Sequence, residues 1–144
     1  MASEVHQSHS EVETEALAAA FARGLQGGEV IFLEGDLGAG KTAFVRGLAR
    51  GLGASENVVA SPTFVIHTAY PCGSGRLLHH ADLYRLASAL GAEDVGLFEL
   101  PGGRDILAIE WAERMESYPW RRVTRVHITH GSKAGDDRRI EITS

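Results

Sequence analysis

The chain has 144 residues, enough for one domain around a single core. Hydrophobic residues make up 44% and charged residues 23%, which excludes a collagen-like, largely disordered or disulfide-scaffold chain. The net charge of −5 is wrong for a general nucleic-acid coat, no apolar run is long enough to span a bilayer, and Cys72 is the one cysteine, without an internal partner.

Residues 1–10 (MASEVHQSHS) read as a flexible tail with solvated histidines at His6 and His9, and residues 11–144 as a single domain. The polar start lacks a basic-then-apolar leader, so a reducing cytoplasm is the expected compartment. Residues 11–26 are predicted to form a helix. Ser10 is the N-cap, Glu13 completes a capping box, and Leu17, Phe21 and Leu25 form an apolar stripe. Residues 29–34 (EVIFLE) hold four consecutive apolar residues, as a strand buried on both faces does. A glycine-rich turn follows. Residues 41–52 then read as a helix with Phe44, Leu48 and Leu52 on one side, while Gly47 and Gly51 either weaken it or permit close packing.

Residues 63–70 and 76–82 read as a hairpin around the turn PCGSG at 71–75. Short helical pieces are expected over 84–100, broken at Gly91 and Gly96. Residues 105–111 (DILAIEW) form a further apolar strand, and residues 123–129 and 139–143 alternate as paired strands. The sum is an α/β fold, a three-layer sandwich around a mixed, mainly parallel sheet.

Residues 35–42 (GDLGAGKT) carry the full G-x-x-x-x-G-K-[ST] pattern of a phosphate-binding loop, with a strand before and a helix after. A polyphosphate is a wide anion. It is wrapped by backbone N–H groups, so the side chains beside it must be small. The helix start adds its dipole, Lys41 reaches the outer phosphates, and the Thr42 hydroxyl suits Mg2+. A phosphate loop alone names no reaction. Asp82 and Glu110 each end an apolar strand, the edge of an α/β sheet where ligands sit, and suit magnesium or water positioning. Either could instead cap a following helix. Ser61 and Thr63 offer hydroxyls after the loop's helix, or a plain turn. His79 and His80 are adjacent on one strand and face opposite sides, so at most one enters the site. Trp111 and Trp120 read as packing anchors, with Trp111 bordering Glu110. Arg85 and Arg114 follow the two acids as salt-bridge, phosphate or partner contacts.

In order and spacing, GDLGAGKTAF (35–44), SPTF (61–64), HADLYRL (80–86) and IEWAER (109–114) resemble the TsaE family, as does SEVET (10–14) at the front. The resemblance spans about residues 10–114. It implies the P-loop NTPase fold and the ATPase component of bacterial threonylcarbamoyladenosine tRNA modification. That component works with a TsaB–TsaD pair and meets tRNA only through the complex. It implies ATP and Mg2+ as cofactors. Leu37, Gly38, Ala39, Gly40, Lys41 and Thr42 are then phosphate contacts, with Lys41 catalytic and Thr42 on the metal. Glu110 becomes a catalytic, magnesium-linked acid and Asp82 a Walker B-like residue. Ser61 and Thr63 form a switch-like loop, and Glu11 and Thr14 lie near the adenine. Ala43 departs from a common threonine and Ala112 from a frequent proline; neither carries the chemistry.

Two other classes compete. A small-molecule kinase needs an arginine-rich lid, and none is evident over 85–110. A nucleotide-gated binding module would show coupling in affinity rather than turnover. A GTPase is disfavoured because neither lysine lies in an N-K-x-D guanine motif.

Overall fold

The computed structural model describes residues 3–36, 38–55, 59, 67–84, 91–93, 96–131 and 135–144. The expected switch-loop residues Ser61 and Thr63, loop residue Leu37 and Arg85 lie outside them. Among the described residues, seven strands form one sheet. They are β1 (Ser3–Ser8), β2 (Val30–Glu34), β3 (His67–Pro71), β4 (Leu77–Asp82), β5 (Ile106–Glu110), β6 (Thr124–His130) and β7 (Arg138–Thr143). Among the described residues, helices α1 (Glu11–Ala22) and α2 (Lys41–Gly51) lie between β1 and β3 in the chain. The sheet order is β1-β7-β6-β2-β5-β4-β3. Its centre, β6-β2-β5-β4, is parallel, and antiparallel members complete both edges. This is the mixed α/β sheet expected from sequence.

The period of two divides the core. Ile31, Leu33, Ile106 and Ala108 point to the face covered by α1 and α2. Val30, Phe32, Leu107 and Ile109 point to the other face, where they meet Leu83, Leu97, Ala112 and the aromatic rings of Trp111 and Trp120. Among the described residues that second face is covered by single 3-10 turns (Leu97–Glu99 and Ala112–Arg114) and their connecting loops. Trp120 anchors it: its ring meets Phe32 and Phe98 edge-on, and its Nε1–H donates to the Leu100 carbonyl at 2.6 Å.

Helix α1 starts where predicted. Ser10 Oγ accepts from the Glu13 N–H at 3.0 Å, and Glu13 reaches back to the His9 N–H at 2.5 Å, one residue beyond the usual capping-box partner. The apolar stripe of α1 is corrected. Its deepest residues are Thr14, Ala18, Ala19 and Ala22, while Leu17, Phe21 and Leu25 flank the core half-buried. The cause lies in α2. A Cβ at Gly47 would strike the Glu15 carbonyl and the Ala18 methyl, and one at Gly51 the Ala19 carbonyl and the Ala22 methyl. The glycines let the helices approach so closely that only small residues fit between them.

The reading of residues 1–10 as a flexible tail is also corrected. Ser3–Ser8 pairs along the whole of β7 in an antiparallel ladder, from Ser3 opposite Thr143 to Ser8 opposite Arg138. The strand is polar and mostly exposed, with Val5 at its surface, so no hydrophobic alternation marks it. Backbone hydrogen bonds and the otherwise open edge of β7 make it a strand.

Candidate functional site

The loop after β2 turns sharply beneath β6. Gly35 has φ +148°, and a Cβ there would collide with the Ile128 carbonyl, so only glycine lets the loop lie this close to the sheet. Gly40 caps α2 at φ +111°, a left-handed conformation, and no side chain caps the helix start. A Cβ at Gly38 or Gly40 would meet nothing within 4 Å, so the space beside these two residues is open.

Lys41 opens α2 and is buried. Its Nζ donates to the Gly35 carbonyl at 2.6 Å and sits 3.6 Å from the centre of the Trp111 ring. Burial pulls its pKa below the usual lysine value, against the opposing pull of Glu110, Glu113, Asp82 and Asp36. Trp111 has φ +60°, an uncommon conformation for a large side chain, and its ring packs on Tyr84. Arg114 lies 5.7 Å over the Tyr84 ring rather than in an ion pair with either acid. Thr42 follows in the first turn of α2, half-buried.

Asp82 and Glu110 are register partners at the C-terminal ends of adjacent parallel strands. Asp82 is half-buried and accepts from the Tyr84 N–H at 3.0 Å; desolvation and the neighbouring Glu110 raise its pKa. Glu110 is buried. His80, fully buried, donates from Nε2 to its carboxylate at 2.6 Å, and its Nδ1 shares a hydrogen bond with the Tyr70 hydroxyl at 3.2 Å. Burial, then Glu110, raises the Tyr70 pKa and keeps its proton in place. This chain fixes both the histidine tautomer and the carboxylate rotamer.

The sequence reading did not link His80 or Tyr70 to Glu110. The signal was partly there: a period of two puts His80, not His79, on the face of Asp82. His79 takes the structural role, donating to Asp105 at 3.0 Å on one side and facing His67 at 3.0 Å on the other. Glu11 and Thr14 do not converge on the loop's lysine. Glu11 is exposed and ion-paired with Arg46 at 2.7 Å, whereas the Thr14 hydroxyl is buried against Ser8 at 2.7 Å. The donor set fits a magnesium–polyphosphate group. It consists of a glycine-rich loop, a buried ammonium and a hydroxyl in the first turn of α2, with two carboxylates paired in register on adjacent strands. Among the described residues, no helix is long and apolar enough to cross a membrane.

Residues 8–140 match the family model described as "Threonylcarbamoyl adenosine biosynthesis protein TsaE". The tRNA threonylcarbamoyladenosine biosynthesis protein TsaE of Bacillus subtilis is 42% identical over 132 residues, covering 91% of this chain and 78% of the relative. Its namesake from Treponema pallidum is 44% identical over 111 residues, covering 76% and 79%. The crystal structure of Bacillus subtilis YdiB superposes with a TM-score of 0.77 at 31% identity, covering 99% of this chain and 86% of that one.

Proposed function

The chain belongs to the TsaE family of tRNA threonylcarbamoyladenosine biosynthesis, and from this premise we propose that it is the ATP-binding and ATP-hydrolysing subunit of that modification, acting in the cytoplasm with a TsaB–TsaD-type complex. The observation that carries the reading is the register of Asp82 with Glu110 beside a glycine-rich loop whose lysine senses both charges. Lys41 and the loop amides from Gly38 to Thr42 hold the phosphates in this reading, and Thr42, Asp82 and Glu110 hold Mg2+. The bound ion would neutralise charge on the phosphate oxygens. Glu110 acts as the fixed carboxylate because His80 holds it. Asp82, half-exposed, orients water or a metal-bound ligand from the neighbouring strand end.

On the adenine side, exposed Glu11 can exchange Arg46 for a ligand, while Thr14 supports that region through Ser8. Ser61 and Thr63 complete the site as a switch-like loop in the same proposal. The acidity of the chain argues for contact with tRNA through the complex rather than alone. Of the described arginines near the loop, Arg138 donates to backbone carbonyls and Arg114 covers Tyr84, so neither is poised as a finger on the outer phosphate. Slow hydrolysis alone and stimulation by partners are therefore expected.

The test is ATP hydrolysis by the purified chain, alone and with a TsaB–TsaD pair, beside Lys41→Ala. Stimulation that vanishes in the variant supports the reading. Intact ATP binding without stimulation overturns it in favour of a nucleotide-gated binder. Phosphate transfer to an added metabolite would instead make it a kinase.

A further inference from the structure

A phosphate loop has a backbone accounting problem. Its N–H groups must face the anion, so its carbonyls turn away and need donors of their own. Among the described residues each carbonyl has one. Lys41 Nζ serves Gly35, and the Ala39 N–H, the one amide from Gly38 to Thr42 that a loop carbonyl holds, serves Asp36 at 3.0 Å. The Phe44 N–H serves Gly40 at 3.0 Å and opens the ladder of α2. The remaining two, Gly38 and Ala39, are served from across the sheet. Arg138, the first residue of β7, donates from Nε to the Ala39 carbonyl at 2.8 Å and from one terminal nitrogen to the Gly38 carbonyl at a longer 3.4 Å. Its other terminal nitrogen holds the Gly135 and Asp137 carbonyls at 2.8 and 2.9 Å.

We propose that Arg138 is a positioning residue for the phosphate loop: its guanidinium bridges the outward carbonyls of Gly38 and Ala39 to the connector before β7, and so holds the loop amides toward the phosphates. The inference deepens the nucleotide reading above and rests on it. A planar fork with several fixed donors suits this bridging, and an ammonium, which is a point donor, does not. The residue lies about 100 positions from the loop in sequence and belongs to no phosphate-loop motif.

The test uses the full chain with Arg138→Gln and Arg138→Lys, read in two ways. The first is amide hydrogen exchange of the peptide covering residues 35–40 in nucleotide-free protein. The second is ATP affinity by calorimetry in the presence of Mg2+. In Arg138→Gln the loop amides should exchange about fivefold faster. ATP affinity should fall about tenfold. Arg138→Lys should recover only part of both. Unchanged loop exchange and unchanged affinity, with only the connector at 131–137 exchanging faster, would overturn the proposal and confine Arg138 to that connector. Should the wild type not bind ATP, the nucleotide reading fails by itself, and loop exchange alone decides the Arg138 contact. If Arg138→Gln does not fold, Arg138→Lys carries the test, with wild-type exchange and affinity in that variant overturning the need for a fork.

Discussion

Lys41 is a buried cation held by one carbonyl and one indole face, and burial works against its charge. Replacing it with methionine keeps the apolar stem and removes the desolvated ammonium. Lys41→Met should melt at or above the wild-type temperature while losing about 100-fold or more in ATP affinity. Thermal melts and calorimetry read the two effects separately, and a variant that lost stability would contradict the assignment of Lys41 to ligand rather than fold. His80 and Glu110 form the opposite case, a buried pair that satisfies itself. His80→Ala should destabilise by about 3 kcal/mol because it strands a buried carboxylate. His80→Ala combined with Glu110→Ala should cost less than the two singles summed, as urea denaturation would show. Additive costs would mean that the 2.6 Å contact carries no coupling.

The helices and strands follow from local chemistry to different degrees. The run Val30-Ile31-Phe32-Leu33, the Ser10 cap and the loop pattern were legible because each depends on neighbours in the chain. The α1 stripe was misread because its depth is set by Gly47 and Gly51 on another helix. Gly47→Val should therefore cost about 3 kcal/mol through overpacking, measured by chemical denaturation, with Gly24→Val, at a site with one ordinary contact, as the mild comparison. Strand β1 was missed because its ladder partner is at the far end of the chain. Deleting residues 1–8 should lower the melting temperature and promote self-association by baring the β7 edge, readable by light scattering. A truncated chain that melts as the wild type does would mean the ladder contributes nothing.

At the scale of the whole molecule, the β4-β3 edge of the sheet, on the face opposite α1 and α2, carries a second polar chain, His67-His79-Asp105. Asp105 is held below its usual pKa, first by the Leu77 N–H and, more weakly, by His79. His67 is held below its usual pKa by burial, then by His79 and His80. A histidine lowered on folding binds fewer protons folded than unfolded, so its contribution is present above about pH 6.5 and is lost as pH falls through that value. The depressed Asp105 contributes above its unfolded pKa near 4 and is lost only in stronger acid. Stability should thus fall between about pH 7 and pH 5, and fall less in His67→Gln, as urea denaturation across that window would show. Equal slopes in the two proteins would remove His67 from the acid response. The sequence by itself determined the glycine-rich loop between β2 and α2, the buried central strands and the family resemblance, because these rest on spacing and composition along a few consecutive residues. Only the tertiary structure decided which histidine meets Glu110, which face of α1 is deepest, that residues 3–8 are a strand, and that Arg138 backs the loop. Each of these is a contact between segments distant in the chain, and register, packing distance and an open sheet edge come into being only when the sheet assembles.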